Sequence, residues 1–418
     1  MERAPAWRAP SQLVAVSMME MLIGGATFSS LGMLLPLMVR DLGLSWSGAG
    51  LGFTVLGACC GLASAGPPIL IRRFGVSATF ALGAPMMGLG LATLFQVRGL
   101  ADYLLGTALC GFAYALMSGV PATYVITRLF TRRAGPLGVY GVIGGLGNAA
   151  APWAVLGILA VTAQSWRLYW LFQCAVILLS GLAVAALVGL DPRFRGPARD
   201  DPPVAEAAPP SAVAARVYRT ARDWTVRQAL RTPQLYVLFA ASIVNLFCLI
   251  TVTSLSVGHL IERGVTPKLA GAMLSLEAAV AIIARATAGA LGDRFEPRLL
   301  LGLALGAMSA GCLMLAFGRS QPWLLCYAIG TGIGFGVTIL TGTLVLLNYF
   351  GQRHSLEIIS AAYFTTTLAS LGPLMGGMVR DITGSFTLMF VILAAASGLV
   401  SVAVLLMRPP AIARLAGE

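Results

Sequence analysis

Leu13–Val39 reads LVAVSMMEMLIGGATFSSLGMLLPLMV, an apolar run carrying one charge, Glu20. A helix that crosses the hydrocarbon core of a bilayer needs about 20 such residues. Arg3 and Arg8 precede the run. It is too long for the core of a secretory signal, and no clear cleavage site follows a short one, so it reads as a retained first span. Working outward, the same pattern recurs along the chain. Twelve spans are expected: 12–38, 47–71, 76–96, 102–127, 138–162 and 168–190, then 235–259, 269–291, 299–318, 322–348, 356–379 and 386–407. Each must satisfy its own backbone in lipid, which makes them helices. The expected fold class is an all-α membrane protein, with twelve transmembrane helices in two six-helix pseudo-symmetric bundles.

Composition agrees. Hydrophobic residues make up 58% of the 418 and charged residues 11%, and mean hydropathy is +0.85. A soluble domain carries about 25% charged residues. The formal net charge is +12, but no polar domain is left to present a basic face, which excludes a nucleic-acid partner. The basic residues instead carry topology. With the N-terminus in the cytoplasm, 20 of the 28 basic residues fall on cytoplasmic segments and 7 on outer loops, with Arg285 inside a span. That excess predicts a multi-pass inner (plasma) membrane protein with both termini cytoplasmic. The lipid bilayer is its first partner.

Residues 191–234 divide the chain. Pro192, Pro197, Pro202, Pro203, Pro209 and Pro210 open the segment as a linker. Val213, Val217, Ala221 and Trp224 then share one helical arc and Arg216, Arg219 and Arg222 another, a pattern for a helix on the cytoplasmic membrane surface or for a loosely ordered tether. The expected units are therefore 1–190, the linker 191–234, and 235–418. The outer two repeat: Arg73-Phe74 matches Arg294-Phe295 and Pro152 matches Pro373 at an offset of 221, and Phe130 with Arg133 matches Phe350 with Arg353 at 220.

Catalysis finds no footing. The seven cysteines lie in apolar runs without C-x-x-C or histidine spacing, so neither a metal nor a disulfide framework is expected. No paired carboxylates or nucleophile–base set occupies a polar region, and no cofactor is implied. Gly145-x-Gly147-x-x-Ala150 imitates a dinucleotide fingerprint inside an apolar span without a preceding strand. The pairs Gly57/Gly61, Gly141/Gly145 and Gly332/Gly336 let helices approach closely.

Gly289-Ala-Leu291-Gly-Asp293-Arg294-Phe295 resembles the loop between the second and third helices of the major facilitator superfamily, G-x-L-x-D-R-x-G. Its first-half counterpart, Gly66-Pro67-Pro68-Ile-Leu70-Ile-Arg72-Arg73-Phe74-Gly75, has Arg72 in the acidic position. Gly289, Asp293, Arg294, Arg72 and Arg73 thus form the expected conformational lock, altered in the first half. The Gly-Pro…Arg-Phe-Gly variant, Leu129–Gly138, Arg231–Tyr236 and Gly372–Ser385 are similar to the monocarboxylate transporter and oxalate/formate antiporter branch. The animal monocarboxylate signature is missing from the first span. The resemblance implies a secondary transporter with a site between two bundles.

Few ionisable residues remain at depth: Glu20, Glu277 and Arg285. Each costs about 2.5–3.5 kcal/mol near a helix centre, so each should face a partner or a wet cavity. Their repeat positions hold Ala241, Leu56 and Ser64, so the charges do not repeat with the scaffold. Arg285 is the expected anion ligand, since a guanidinium binds a carboxylate through two parallel hydrogen bonds and keeps its charge. The resemblance implies the same role, the alternatives being an ion pair with Glu277 or a side chain snorkelling to the cytoplasmic face. Glu20 and Glu277 are the candidate proton carriers, the alternative for each being a structural ion pair. In the resembling branch the coupling aspartate lies four residues before the arginine, where Ala281 stands here. Tyr114, Asn148, Asn245, Tyr327 and Tyr363 complete the expected substrate site, against the alternative of helix-packing hydrogen bonds. The expected function is carriage of a small organic anion, a monocarboxylate, with a possible coupling proton; the alternative is proton-coupled efflux of drug-like amphiphiles.

Overall fold

The structure, a computed structural model, describes residues 8–130, 134–196, 218, 220, 224–291, 295–351, 358 and 366–410. Among the described residues there are helices and no strands. The first span joins α1 (Arg8–Gly24), a π-helical turn (Gly25–Ser29) and α2 (Ser30–Leu42). Then come α3 (Trp46–Ala63), α4 (Gly66–Phe74), α5 (Val76–Phe95), α6 (Leu100–Met117), α7 (Gly119–Leu129), α8 (Ala134–Val161) and α9 (Trp166–Gly189). Two short turns, α10 (Pro192–Arg195) and α11 (Val226–Ala229), fall in the central segment. The rest is α12 (Pro233–Glu262), α13 (Pro267–Leu291), α14 (Pro297–Phe317), α15 (Gln321–Phe350), a 3₁₀ turn (Thr366–Leu371), α16 (Gly372–Thr383) and α17 (Thr387–Leu406).

Eleven stretches of the described chain are long and apolar enough to cross a membrane. They coincide with eleven of the twelve expected spans. The remaining one, 356–379, is described only in part, at 358 and from the 3₁₀ turn into α16. Local chemistry sets the ends. Ser45 and Ser165 cap α3 and α9 by accepting from Gly48 N and Leu168 N. Proline opens α12, α13 and α14, where its missing N–H is no loss. The second span was expected to run to 71; α3 instead ends at Ala63, and Gly66-Pro67-Pro68 starts a separate helix because two prolines cannot continue the ladder.

The chain forms two compact units. Unit one is Met1–Glu206 with Thr253–Ser275 and Pro373–Ile382; unit two is Ala207–Val252 with Leu276–Gly372 and Thr383–Glu418. Within each, glycines set the helix approach, and the contacts repeat at the offset of 221. In unit one a Cβ at Gly111 would lie 2.3 Å from the Leu56 carbonyl oxygen; in unit two a Cβ at Gly332 would lie 2.6 Å from that of Glu277. Gly90 likewise abuts Cys110, and Gly311 abuts Thr331. Unit one also packs first-half helices on second-half ones: Gly50 on Pro373, Gly271 on Pro152, and Gly32 on Thr253. The first two pairs exchange under the offset. The third maps onto itself under the same offset.

Most of the expected surface helix of the central segment lies outside the described residues. Its end is described: Trp224 is buried, its ring edge-on to Phe350, and its N–H donates to the Phe350 carbonyl.

Candidate functional site

Unit one holds a carboxylate cluster. The two oxygens of Glu20 each accept from a phenol: Oε1 from Tyr114 of α6 at 2.9 Å, Oε2 from Tyr140 of α8 at 2.7 Å. Glycine makes this possible, since a Cβ at Gly144 would lie 2.6 Å from Glu20 Cγ. One turn on, a Cβ at Gly147 would lie 1.9 Å from the Met21 carbonyl oxygen. Only residues without side chains let α1 and α8 meet so closely.

Two breaks in regular helix flank the cluster. The π turn Gly25–Ser29 follows Glu20 by about one turn, and Ser29 Oγ donates to Asn148 Oδ1 at 2.9 Å. Phe28, on the same turn, sets its ring edge-on to Tyr114 at 5.4 Å. In the fourth span, Ser118 is extended and separates α6 from α7, with Gly119 at φ 25°, a backbone that other residues resist. Ser118 adjoins both phenols. Irregular backbone at membrane depth is tolerated where protein or a cavity surrounds it, and π turns concentrate at functional sites.

Unit two holds a second carboxyl. Glu277 of α13 is 3% exposed and its Oε2 accepts from Tyr327 of α15 at 3.0 Å. Thr331, one turn along α15, faces the same carboxyl. Among the ion pairs between described residues, none involves Glu277. Ala281, between Glu277 and Arg285, packs its backbone on Gly336. Arg285 is exposed on α13. Asn245 of α12 is 2% exposed, and its Oδ1 has no hydrogen-bond partner.

The structure therefore joins Glu20 to Tyr114, with Asn148 beside them, and Glu277 to Tyr327. A Cβ at Gly24 would stand 3.9 Å from Asn148 Nδ2 and 4.0 Å from Tyr114 Oη, which places the amide and the phenol around one small space. Of the lock motif, Arg72 and Arg73 are exposed in the last turn of α4 and Gly289 touches Leu340. Asp293 and Arg294 lie outside the described residues, as does Tyr363. Sequence reasoning missed Tyr140, Ser29 and both helix breaks. The signals were present as Gly24-Gly25 and as Ser118-Gly119 before Pro121, dipeptides that mark turns.

Comparison with known proteins follows from this arrangement. No curated protein sequence matches the chain significantly. Solved structures do. A point mutant of the nucleoside transporter NupG superposes with a TM-score of 0.74 at 15% identity, over 95% of this chain and 99% of that one. A point mutant of a peptide transporter POT gives 0.74 at 15%, over 94% and 93%. A bacterial homologue of the human lysosomal transporter Spinster, inward-facing and unoccupied, gives 0.68 at 16%, over 96% of both. The Major Facilitator Superfamily model matches residues 17–370 and 250–417. With eleven apolar helices among the described residues and a family match across nearly its whole length, the chain belongs to the major facilitator superfamily of membrane transporters.

Proposed function

We propose that this transporter carries a small organic anion, a monocarboxylate, and that Arg285 is the group that recognises it. The observation that carries the reading is an exposed guanidinium about one helical turn from the end of the stretch Pro267–Gly289. A charge on an apolar span is best placed where it reaches polar groups or a wet cavity. A carboxylate is the anion that the planar guanidinium fits best. Asn245, with a buried amide oxygen left open, offers a neutral donor–acceptor for the remainder of the substrate.

Glu277 and Glu20 are the proton sites in this reading. Both are faced by neutral hydroxyls, so each can bind a proton without a salt bridge first having to break. Transport then proceeds by rocking two six-helix bundles, 1–190 and 235–418, about a site near the midplane. The segment 191–234 links them on the cytoplasmic side of the inner membrane, where the arginine excess places both termini.

A second reading is favoured by one observation. Glu20 accepts from two phenols, one of them edge-on to the Phe28 ring, and a carboxylate with aromatic neighbours also suits a hydrophobic cation. That is the chemistry of amphiphile efflux.

Thermal denaturation of the purified protein against mono- and dicarboxylates, hydrophobic cations and neutral amphiphiles separates the two. A ligand at a hundredfold its Kd stabilises the folded state by about 2.7 kcal/mol. A carboxylate should stabilise wild type and not Arg285→Gln. Stabilisation by cations alone, lost in Glu20→Gln, selects efflux.

A further inference from the structure

We propose that Asp381 and Trp46 form a polar latch that holds one end of unit one closed and that must part in each transport cycle. The inference rests on the transport reading but not on which substrate is carried.

Asp381, near the end of α16, reaches the start of α3. Its Oδ1 accepts from Trp46 N at 3.1 Å and its Oδ2 from Ser47 N at 2.8 Å. These are first-turn amides, which a helix leaves without internal partners. A carboxylate there also meets the positive end of the helix dipole. The helix already has a cap of its own, since Ser45 Oγ accepts from Gly48 N at 3.1 Å. Asp381 therefore takes the two amides that the local cap leaves open, from a residue more than 330 positions away.

Trp46 is seated by glycines of two other helices. A Cβ at Gly258 of α12 would lie 2.7 Å from its ring, and a Cβ at Gly377 of α16 would lie 2.1 Å from its carbonyl oxygen. Arg380 and Glu262 pair at 2.9 Å and tie α16 to α12 beside this seat. The same end carries the Gly32–Thr253, Gly50–Pro373 and Gly271–Pro152 contacts. Those follow the internal repeat. The latch does not: the repeat positions of Asp381 and Trp46 are Ala160 and Pro267. The apolar seam is scaffold shared by both halves, while the charged contact was added on one side only.

A carrier that opens its site to alternate ends must separate first-half from second-half helices at each end in turn. Glycine-to-backbone packing separates without leaving a buried polar group open. The Asp381 hydrogen bonds are the charge-assisted ones, so they weigh most in how often this end opens.

The test uses Ser254, which is 1% exposed and adjoins the Gly32–Thr253 crossing. In a chain with its seven cysteines replaced, Ser254→Cys is labelled with a polar maleimide in nanodiscs. Asp381→Asn should raise the labelling rate about tenfold, the shift expected when a charge-assisted hydrogen bond is lost. Asp381→Glu should restore most of the protection, and Gly377→Ala, which presses on the Trp46 carbonyl, should raise labelling without touching a charge. Amide exchange of residues 44–50 is followed in parallel. If exchange there quickens in Asp381→Asn while labelling stays at the wild-type rate in both variants, Asp381 is only a helix cap and the proposal fails. Should the Ser254→Cys background not fold, amide exchange over 253–260 in the native-cysteine chain reads the same opening: faster in Asp381→Asn supports the latch, unchanged overturns it. No substrate enters these assays, so a wrong assignment of the cargo leaves their outcome untouched.

Discussion

Tyr327→Phe removes one oxygen and keeps a ring that is fully buried. What it deletes is the 3.0 Å hydrogen bond to Glu277 Oε2. The size of the loss reports the state of the carboxyl. Between neutral partners, hydrogen bonds inside membrane proteins average about 0.6 kcal/mol and reach about 1.7. To a charged group, a net hydrogen bond is worth about 1.5–3 kcal/mol. A double-mutant cycle of Tyr327→Phe with Glu277→Leu, whose side chain cannot accept the bond, measured by reversible unfolding in detergent, isolates the pair, provided each single variant keeps its fold. A coupling near 0.6 kcal/mol means that a protonated Glu277 faces Tyr327; one above about 2 means a carboxylate does. Repeating the cycle across pH should move the coupling between these values if Glu277 carries a proton in transport. A coupling indistinguishable from zero at every pH would refute the reasoning, because the bond on which it rests would contribute nothing.

Further outcomes follow from other contacts. Gly147→Ala should destabilise by about 1–3 kcal/mol, since its Cβ would meet the Met21 carbonyl at 1.9 Å, whereas Gly66→Ala, with open space around it, should be near neutral in melting temperature. Arg285→Lys keeps the charge and loses the two-pronged geometry, so carboxylate affinity should fall at least about tenfold in binding titrations. Burial opposes the charge of Asp381, yet hydrogen bonds from Ser47 and Trp46 and the nearby Arg380 outweigh it and hold the carboxyl below its ordinary range. Its stabilising effect is therefore full above the unfolded value of about 3.9 and is lost as pH falls through the folded one. The difference in melting temperature between wild type and Asp381→Asn should shrink on acidification and not on alkalinisation.

The spans were legible because lipid imposes a single rule that composition alone satisfies or breaks, as Leu13–Val39 shows. The internal repeat was legible because Pro152 and Pro373 hold helix crossings that glycine contacts duplicate. The carboxyls at depth stood out because the apolar runs that hold them carry few other charges. Their partners were only partly legible. Tyr114 and Tyr327 were among several tyrosines in apolar helices, and nothing in the sequence separates Tyr140 from them. Its role depends on Gly144 letting α8 lie against Glu20, a relation between residues more than a hundred positions apart. The π turn is likewise accompanied by a contact distant in sequence, the Ser29–Asn148 hydrogen bond. The latch was hidden for the same reason: Asp381 reads as a loop acid until α3 is placed before it.

The most direct measurement is uptake of a labelled monocarboxylate into proteoliposomes under an imposed proton gradient, wild type beside Arg285→Gln and Glu277→Gln. The account predicts uptake above protein-free vesicles for wild type, abolished in Arg285→Gln, and insensitive to the gradient in Glu277→Gln. Wild-type uptake retained in full by Arg285→Gln would contradict it.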